Sequence, residues 1–145
     1  LPPHWRNISD WNFWKPRLDS GSLGATTDEI LQTRDAFLAY LRVRSGGDHF
    51  RLRSLSDVES RLRFLSNDAG DTPGLIAYWI QGTPSDVLVL LNPAPEAQPF
   101  LSPLLQAKRW RLHRELASVL PEPMLRQARL SAPPQTALVL EEVKP

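Results

Sequence analysis

The sequence predicts a mainly β fold: a C-terminal β-sandwich preceded by one long α-helix. Three observations predict it. Fourteen prolines in 145 residues, well above the ~5% average, gather at Pro93/Pro95/Pro99/Pro103, Pro121/Pro123 and Pro133/Pro134. Proline ends helices and is excluded from central strand positions, so these clusters cut the second half into short strands and turns. Between them lie brief apolar runs, Leu75–Ile80 and Val87–Leu91, of strand length. In the first third, by contrast, Ile30, Leu31, Phe37, Leu38 and Leu41 recur at helical spacing.

Taken in order, the opening segment carries Trp5, Trp11 and Trp14 and shows no regular period, so it reads as irregular. The helix starts at a capping box, Thr26 with Glu29 three residues on. Its five apolar side chains form one stripe, and Arg34, Asp35, Arg42 and Arg44 complete a more polar surface. Ser45, Gly46 and Gly47 stop it. A second S-x-x-E, Ser56 to Glu59, opens a single helical turn. The expected strands are Leu62–Ser66, Leu75–Gln81, Val87–Leu91, Trp110–His113, Leu125–Leu130 and Ala137–Glu141, the second and third being central. The organisation is thus residues 1–47, an aromatic segment plus the long helix, and residues 48–145, a two-sheet sandwich.

Composition excludes several classes of function. The chain is 41% hydrophobic and 23% charged, values of an ordinary globular domain, and it is too short for a whole (β/α)8 barrel of ~250 residues. A net charge of +1 argues against nucleic acid, and no apolar run approaches the ~20 residues that span a membrane. With no cysteine, disulfides, thiolate chemistry and sulfur-ligated metals are excluded. His4, His49 and His113 have no metal-ligand spacing, there is no G-x-S-x-G elbow, and the glycines form no phosphate loop, reading instead as turn residues with positive φ. No catalytic residue, metal or cofactor is therefore expected. Arg42, Arg44, Arg51, Arg53, Arg61 and Arg63 alternate with apolar residues and read as a solvated face. Trp5, Trp11 and Trp14 are the candidate sugar contacts, because indole faces stack on pyranose rings; the competing role is to anchor a loop on a core. Trp79 and Trp110 are expected to pack in the core. Met124 is the one methionine and Leu1 the first residue, so a segment upstream of residue 1 is expected to have been removed.

The order of motifs resembles the C-terminal end of pullulanase-type debranching enzymes, pullulanases and limit dextrinases of glycoside hydrolase family thirteen. Leu1-Pro2-Pro3, Asn7, Trp11, Lys15-Pro16 and Leu18 are similar to the family's exit from its catalytic barrel. Phe37 to Ser45 with Phe50-Arg51-Leu52 resembles its last barrel helix and the "L-R-x-R-x-S…F-R-L" exit. Val58, Arg61 to Phe64, Pro73 to Ile76, and Val87 to Asn92 with Pro95 resemble successive strands of its sandwich. Leu112-His113, Arg126, Pro133 or Pro134 and Thr136 to Val139 resemble the closing strands.

The resemblance implies cleavage of α-1,6 linkages in pullulan, starch or glycogen by a retaining two-carboxylate route, with the carboxylates upstream of residue 1. This chain alone is then inactive. Its partners would be the catalytic barrel of the same polypeptide, which its helix seals, and α-glucan through that barrel; no nucleic acid or membrane is implied. The calcium found in such barrels has no carboxylate cluster here to hold it. Family members occur outside bacterial cells and inside plastids, so no compartment follows. The alternatives are a stand-alone glucan-binding module using the three tryptophans, or a protein-interaction module using the helix stripe.

Overall fold

Strands form where apolar runs are bounded by prolines, and the computed structural model has eight of them among its described residues. It describes residues 3–21, 23–70, 72–123, 125–126 and 128–144, with the backbone alone at Arg126. Leu1 and Pro2 of the opening motif, and Gln127 within the expected Leu125–Leu130 strand, lie outside the described residues. Contacts divide the chain into two compact units, Leu1–Asp35 and Ala36–Pro145.

The second unit holds both sheets. In chain order the strands are β1 (Leu62–Phe64), β2 (Ile76–Ile80), β3 (Val87–Asn92), β4 (Gln98–Leu101), β5 (Trp110–Leu112), β6 (Leu125–Arg126), β7 (Arg129–Ala132) and β8 (Thr136–Glu142). One sheet runs β1-β2-β3-β8-β5 and the other β4-β7-β6, every pairing antiparallel. The register places Leu88 opposite Leu140 and Leu90 opposite Leu138 on one face, and Val89 opposite Val139 on the other. Both faces are covered, so β3 is apolar from Val87 to Leu91 and not alternating, the pattern expected of a strand buried on two sides.

The Leu88/Leu90 face meets the smaller sheet, whose Phe100, Leu130 and Ala132 share its buried core. Asn92, fully buried, ties the layers: its Nδ2 donates to the carbonyls of Glu96, Ala132 and Pro133, and its Oδ1 accepts from Ala94 N–H. The Val89 face meets the second half of α2 (Thr27–Ser45). There Ala39 and Val43 are buried and Tyr40 Oη donates to Ala137 O at 2.7 Å. The sandwich therefore includes part of the helix as a third layer.

The helix starts as its sequence predicts: Glu29 Oε2 accepts Thr26 N–H at 2.7 Å and Thr26 Oγ1 accepts Glu29 N–H at 3.3 Å. Local differences have local causes. The opening segment is not irregular, because Ile8–Asp19 forms α1. Ile8, Trp11, Trp14 and Leu18 recur every three or four residues, a helical period that Pro16 interrupts but does not abolish. The single turn at Ser56–Glu59 is a seven-residue helix, α3 (Leu55–Arg61), capped two residues earlier by Ser54 Oγ, which accepts Asp57 N–H at 3.0 Å. The expected Leu125–Leu130 strand is a hairpin, β6–β7, turning at Ala128 with φ +65°.

Strand β4 and the short helix α4 (Leu104–Ala107) have no counterpart in the sequence prediction. Proline is tolerated in β4 because it is an edge strand, where a missing N–H need not be paired. Its outer edge is closed by Asn67, whose Nδ2 donates to Pro99 O and whose Oδ1 accepts Leu101 N–H.

Candidate functional site

The long helix carries two apolar faces. At about 100° per residue, Ala39, Tyr40 and Val43 occupy one arc, and Phe37, Leu38 and Leu41 occupy another roughly 160° away. The first arc is packed on the sheet. The second is not: Phe37 is 63% exposed and Leu41 44%, and Ile30 and Leu31 in the other unit are exposed as well. The predicted stripe is real, but it is not the face with which the helix joins its own sheet. The inner face was legible as a 39/40/43 spacing but is small and includes a tyrosine, so the larger residues of the outer stripe masked it.

The candidate glucan contacts lie in the first unit. Trp5 sits in the 3-10 turn His4–Arg6, 71% exposed, with the Arg6 guanidinium 4.8 Å from its ring centre. Trp11 and Trp14 are on α1; Trp11 meets the edge of His4 at 5.8 Å, and Trp14 meets Phe13 edge-on at 4.8 Å. In the second unit Trp110 is buried, as expected, and donates to Leu104 O at 3.1 Å. Trp79 is half-buried and donates to Asp86 Oδ2 at 3.0 Å.

Asp86 is the centre of an ionic knot between β2, β3 and β8. Its carboxylate accepts from Lys108 Nζ (2.6 Å), Gly82 N–H (3.0 Å) and Trp79, while Lys108 also donates to Glu142 Oε1 at 2.9 Å. Burial works to raise the Asp86 pKa, but the hydrogen bonds from Lys108, Gly82 and Trp79, with the lysine charge, outweigh it and hold the carboxyl below its ordinary range. Burial likewise opposes the Lys108 charge, and its bonds to the two carboxylates overcome that and raise its pKa.

Beside this knot lies a cavity of about 280 Å³. His49, Phe50 and Gly47 from the exit of α2 line one side, Pro84 and Ser85 of the β2–β3 loop another, and Arg111, His113, Arg114, Glu115 and Glu141 a third. The two histidines, isolated in sequence, are thus brought to one place. His49 is buried and its Nε2 is 2.7 Å from Ser85 O, so Nε2 carries the proton. Gly82 is needed for room and not for a positive φ, since a Cβ there would lie 2.0 Å from His49 Nε2. His113 Nδ1 accepts Glu115 N–H at 3.3 Å. Its burial lowers its pKa, against Glu141 and Glu115 and with Arg114 and His49. Of the arginines expected on a solvated face, Arg42, Arg44, Arg51, Arg53 and Arg63 are exposed and Arg61 is half-buried; from that surface Arg44 also reaches Phe50 O, Arg51 Gly47 O and Arg61 Gln81 O.

A family model described as alpha-1,6-glucosidases, pullulanase-type, C-terminal matches residues 1–142. "Pullulanase 1, chloroplastic" of Arabidopsis thaliana is 30% identical over 126 residues, covering 78% of this chain and 13% of that protein. Among solved structures, the catalytic module of the glycogen-degrading pneumococcal virulence factor SpuA is similar with a TM-score of 0.64 and 23% identity. That match covers 81% of this chain and 19% of the module. The chain therefore spans under a fifth of the length of each relative.

Proposed function

Because the chain belongs to the pullulanase-type α-1,6-glucosidase C-terminal family, we propose that it is the non-catalytic end of an α-glucan-debranching polypeptide and stabilises the catalytic barrel. The observation that carries this reading is the second face of α2. An apolar side chain contributes ~1.5–3 kcal/mol when fully buried, and Phe37 leaves more than half of that unrealised here and Leu38 and Leu41 more than a third. Nothing in the inner packing requires large apolar residues on that side, since Ala39, Tyr40 and Val43 already hold the helix to the sheet. The occupant this reading assigns is the polypeptide's own barrel, the part that would make up the rest of its length. Residues 1–47 would then complete the barrel and 48–145 form the appended sandwich.

The test compares the isolated 145-residue chain with the whole polypeptide. The chain alone should bind a hydrophobic dye, Phe37→Ser and Leu41→Ser should each reduce that binding, and the whole polypeptide should bind little. The same substitutions in the whole polypeptide should lower its melting temperature and its release of reducing ends from pullulan. A dye-silent, monomeric isolated chain would sink the reading.

A second reading assigns direct glucan contact to Trp5, Trp11 and Trp14, supported by the exposure of Trp5. Affinity electrophoresis in amylopectin should then show retardation that Trp5→Ala and Trp14→Ala abolish.

A further inference from the structure

We propose that the cavity between the α2 exit and the β5–β8 edge binds a single glucosyl unit of an α-glucan chain. The proposal deepens the reading above and rests on it for the identity of the sugar.

Its size is the first argument. At about 280 Å³ it is just below the range of drug-sized ligand sites, ~300–1,000 Å³, and suits one hexose ring and not an extended ligand. Its charge is the second. Arg111 is paired with Glu141 at 2.9 Å and Arg114 with Glu115 at 3.4 Å, so the wall carries two cations and two anions and selects neither an anion nor a cation. What such a wall offers a neutral polyol is a set of forked donors and acceptors: guanidinium groups donate two parallel bonds and carboxylates accept two. The histidines add one group of each kind. With the proton on His49 Nε2, its Nδ1 is an acceptor; with Nδ1 of His113 accepting from Glu115, the proton of that neutral ring is on Nε2, a donor. Val43, Phe50, Pro84 and Val87 line the same cavity and supply an apolar surface for the C–H face of a pyranose ring.

The three histidines of the chain make the experiment direct. His49 and His113 line the cavity, whereas His4 touches Trp11 and reports on the tryptophan cluster. Imidazole NMR signals of the whole polypeptide's C-terminal segment, labelled at histidine, are followed while maltotriose is added. Saturable shifts of His49 and His113, with His4 unmoved, are expected. Glu141→Gln should weaken the half-saturation by tenfold or more, and Trp14→Ala should leave it unchanged. Because the wild-type shifts are read directly, a poorly folded variant does not decide the matter. Shifts of His4 alone, no saturable shift of any histidine, or a response to inorganic phosphate with none to maltotriose would each overturn the proposal. A polypeptide that hydrolyses pullulan but shows no cavity shifts refutes this site and leaves the family reading intact. Cavity shifts without pullulan hydrolysis support the site and count against the proposed debranching role.

Discussion

Residues 1–35 and residues 36–145 are built from similar side chains and reach opposite states. The first unit has Trp5, Ile8, Phe13, Trp14, Leu18, Leu23, Ile30 and Leu31, all exposed, and no residue of its described helices before Ala39 is buried. Its shape comes from short-range terms: the Thr26–Glu29 capping box, the Lys15–Asp19 pair at 3.0 Å and the Thr33 hydroxyl on Glu29 O. The second unit is held by bonds that cross long stretches of chain, Tyr40 to Ala137 and Asn92 to Ala132 among them, around a core in which Phe100, Leu88, Leu90 and Leu138 are fully buried. Apolar content alone does not make a core. A core needs a second apolar layer within reach, which the two sheets provide for residues 36–145 and which the described helices of residues 1–35 do not provide among themselves.

The largest test of this contrast is a pair of truncations. Phe100→Ala should cost about 3–5 kcal/mol in the isolated chain, the usual loss for a buried phenylalanine. Trp14→Ala in the same protein should change stability by less than about 0.5 kcal/mol. In the whole polypeptide the two costs should converge if the first unit is buried there. Chemical denaturation of the four proteins reads both differences, and a large Trp14→Ala cost in the isolated chain would erase the contrast.

Next in size is Asn92→Ala. It removes a partner from three carbonyls and the Ala94 N–H, of which the bond to Ala132 O is fully buried and the other three partly so, and should cost ~1–3 kcal/mol, the penalty for one buried group left unsatisfied. The loss should appear in both sheets at once, as faster amide exchange in β3 and β7. Loss in β7 alone would mean that the side chain braces only one layer.

Both units should answer to pH, in different ranges: in the first, the hydrogen bonds from Thr26 hold Glu29 below its ordinary 4.5, so the capping box is lost only as pH falls below that, whereas the second responds from nearer neutrality. His113 has a folded pKa below its ordinary 6.5. The unfolded chain therefore binds more protons as pH falls, and the stability associated with the neutral ring is lost below about 6.5. Asp86, held low, contributes stability that is lost only as pH falls below its ordinary 3.8. Lys108, held high, contributes stability lost as pH rises above 10.5. Melting temperature should thus begin to fall just under pH 6.5, and His113→Gln should flatten that first step. A step that survives the substitution belongs to another group.

The smallest expected effect is a gain. Ala128 holds φ +65° at the β6–β7 turn, a left-handed conformation that costs an L-residue roughly 1–2 kcal/mol. Ala128→Gly should raise stability by up to ~1 kcal/mol, less the extra entropy of a glycine in the unfolded chain. An unchanged or lower melting temperature would show that the turn is not strained.

Much of this was written in local sequence. The Thr26–Glu29 box marks where α2 begins, Ser45-Gly46-Gly47 marks its end, and apolar runs between prolines mark β2, β3, β5 and β8, because capping, turn chemistry and periodicity act over three or four residues. The motif order from Asn7 to Val139 also carried the family. What tertiary structure alone decided is which apolar surface meets which. The sequence shows one stripe on α2; the fold uses the opposite, smaller face for its own sheet and leaves the stripe outward. Strand β4 is hidden in sequence because Pro99 reads as a breaker, and it exists because Asn67, remote in the chain, closes its edge. His49 and His113 are ordinary separately and share a cavity only after α2 packs on the sheet whose edge strand β5 leads into His113. Burial and long-range pairing depend on what arrives on the other side of an element, and no window of sequence contains that partner.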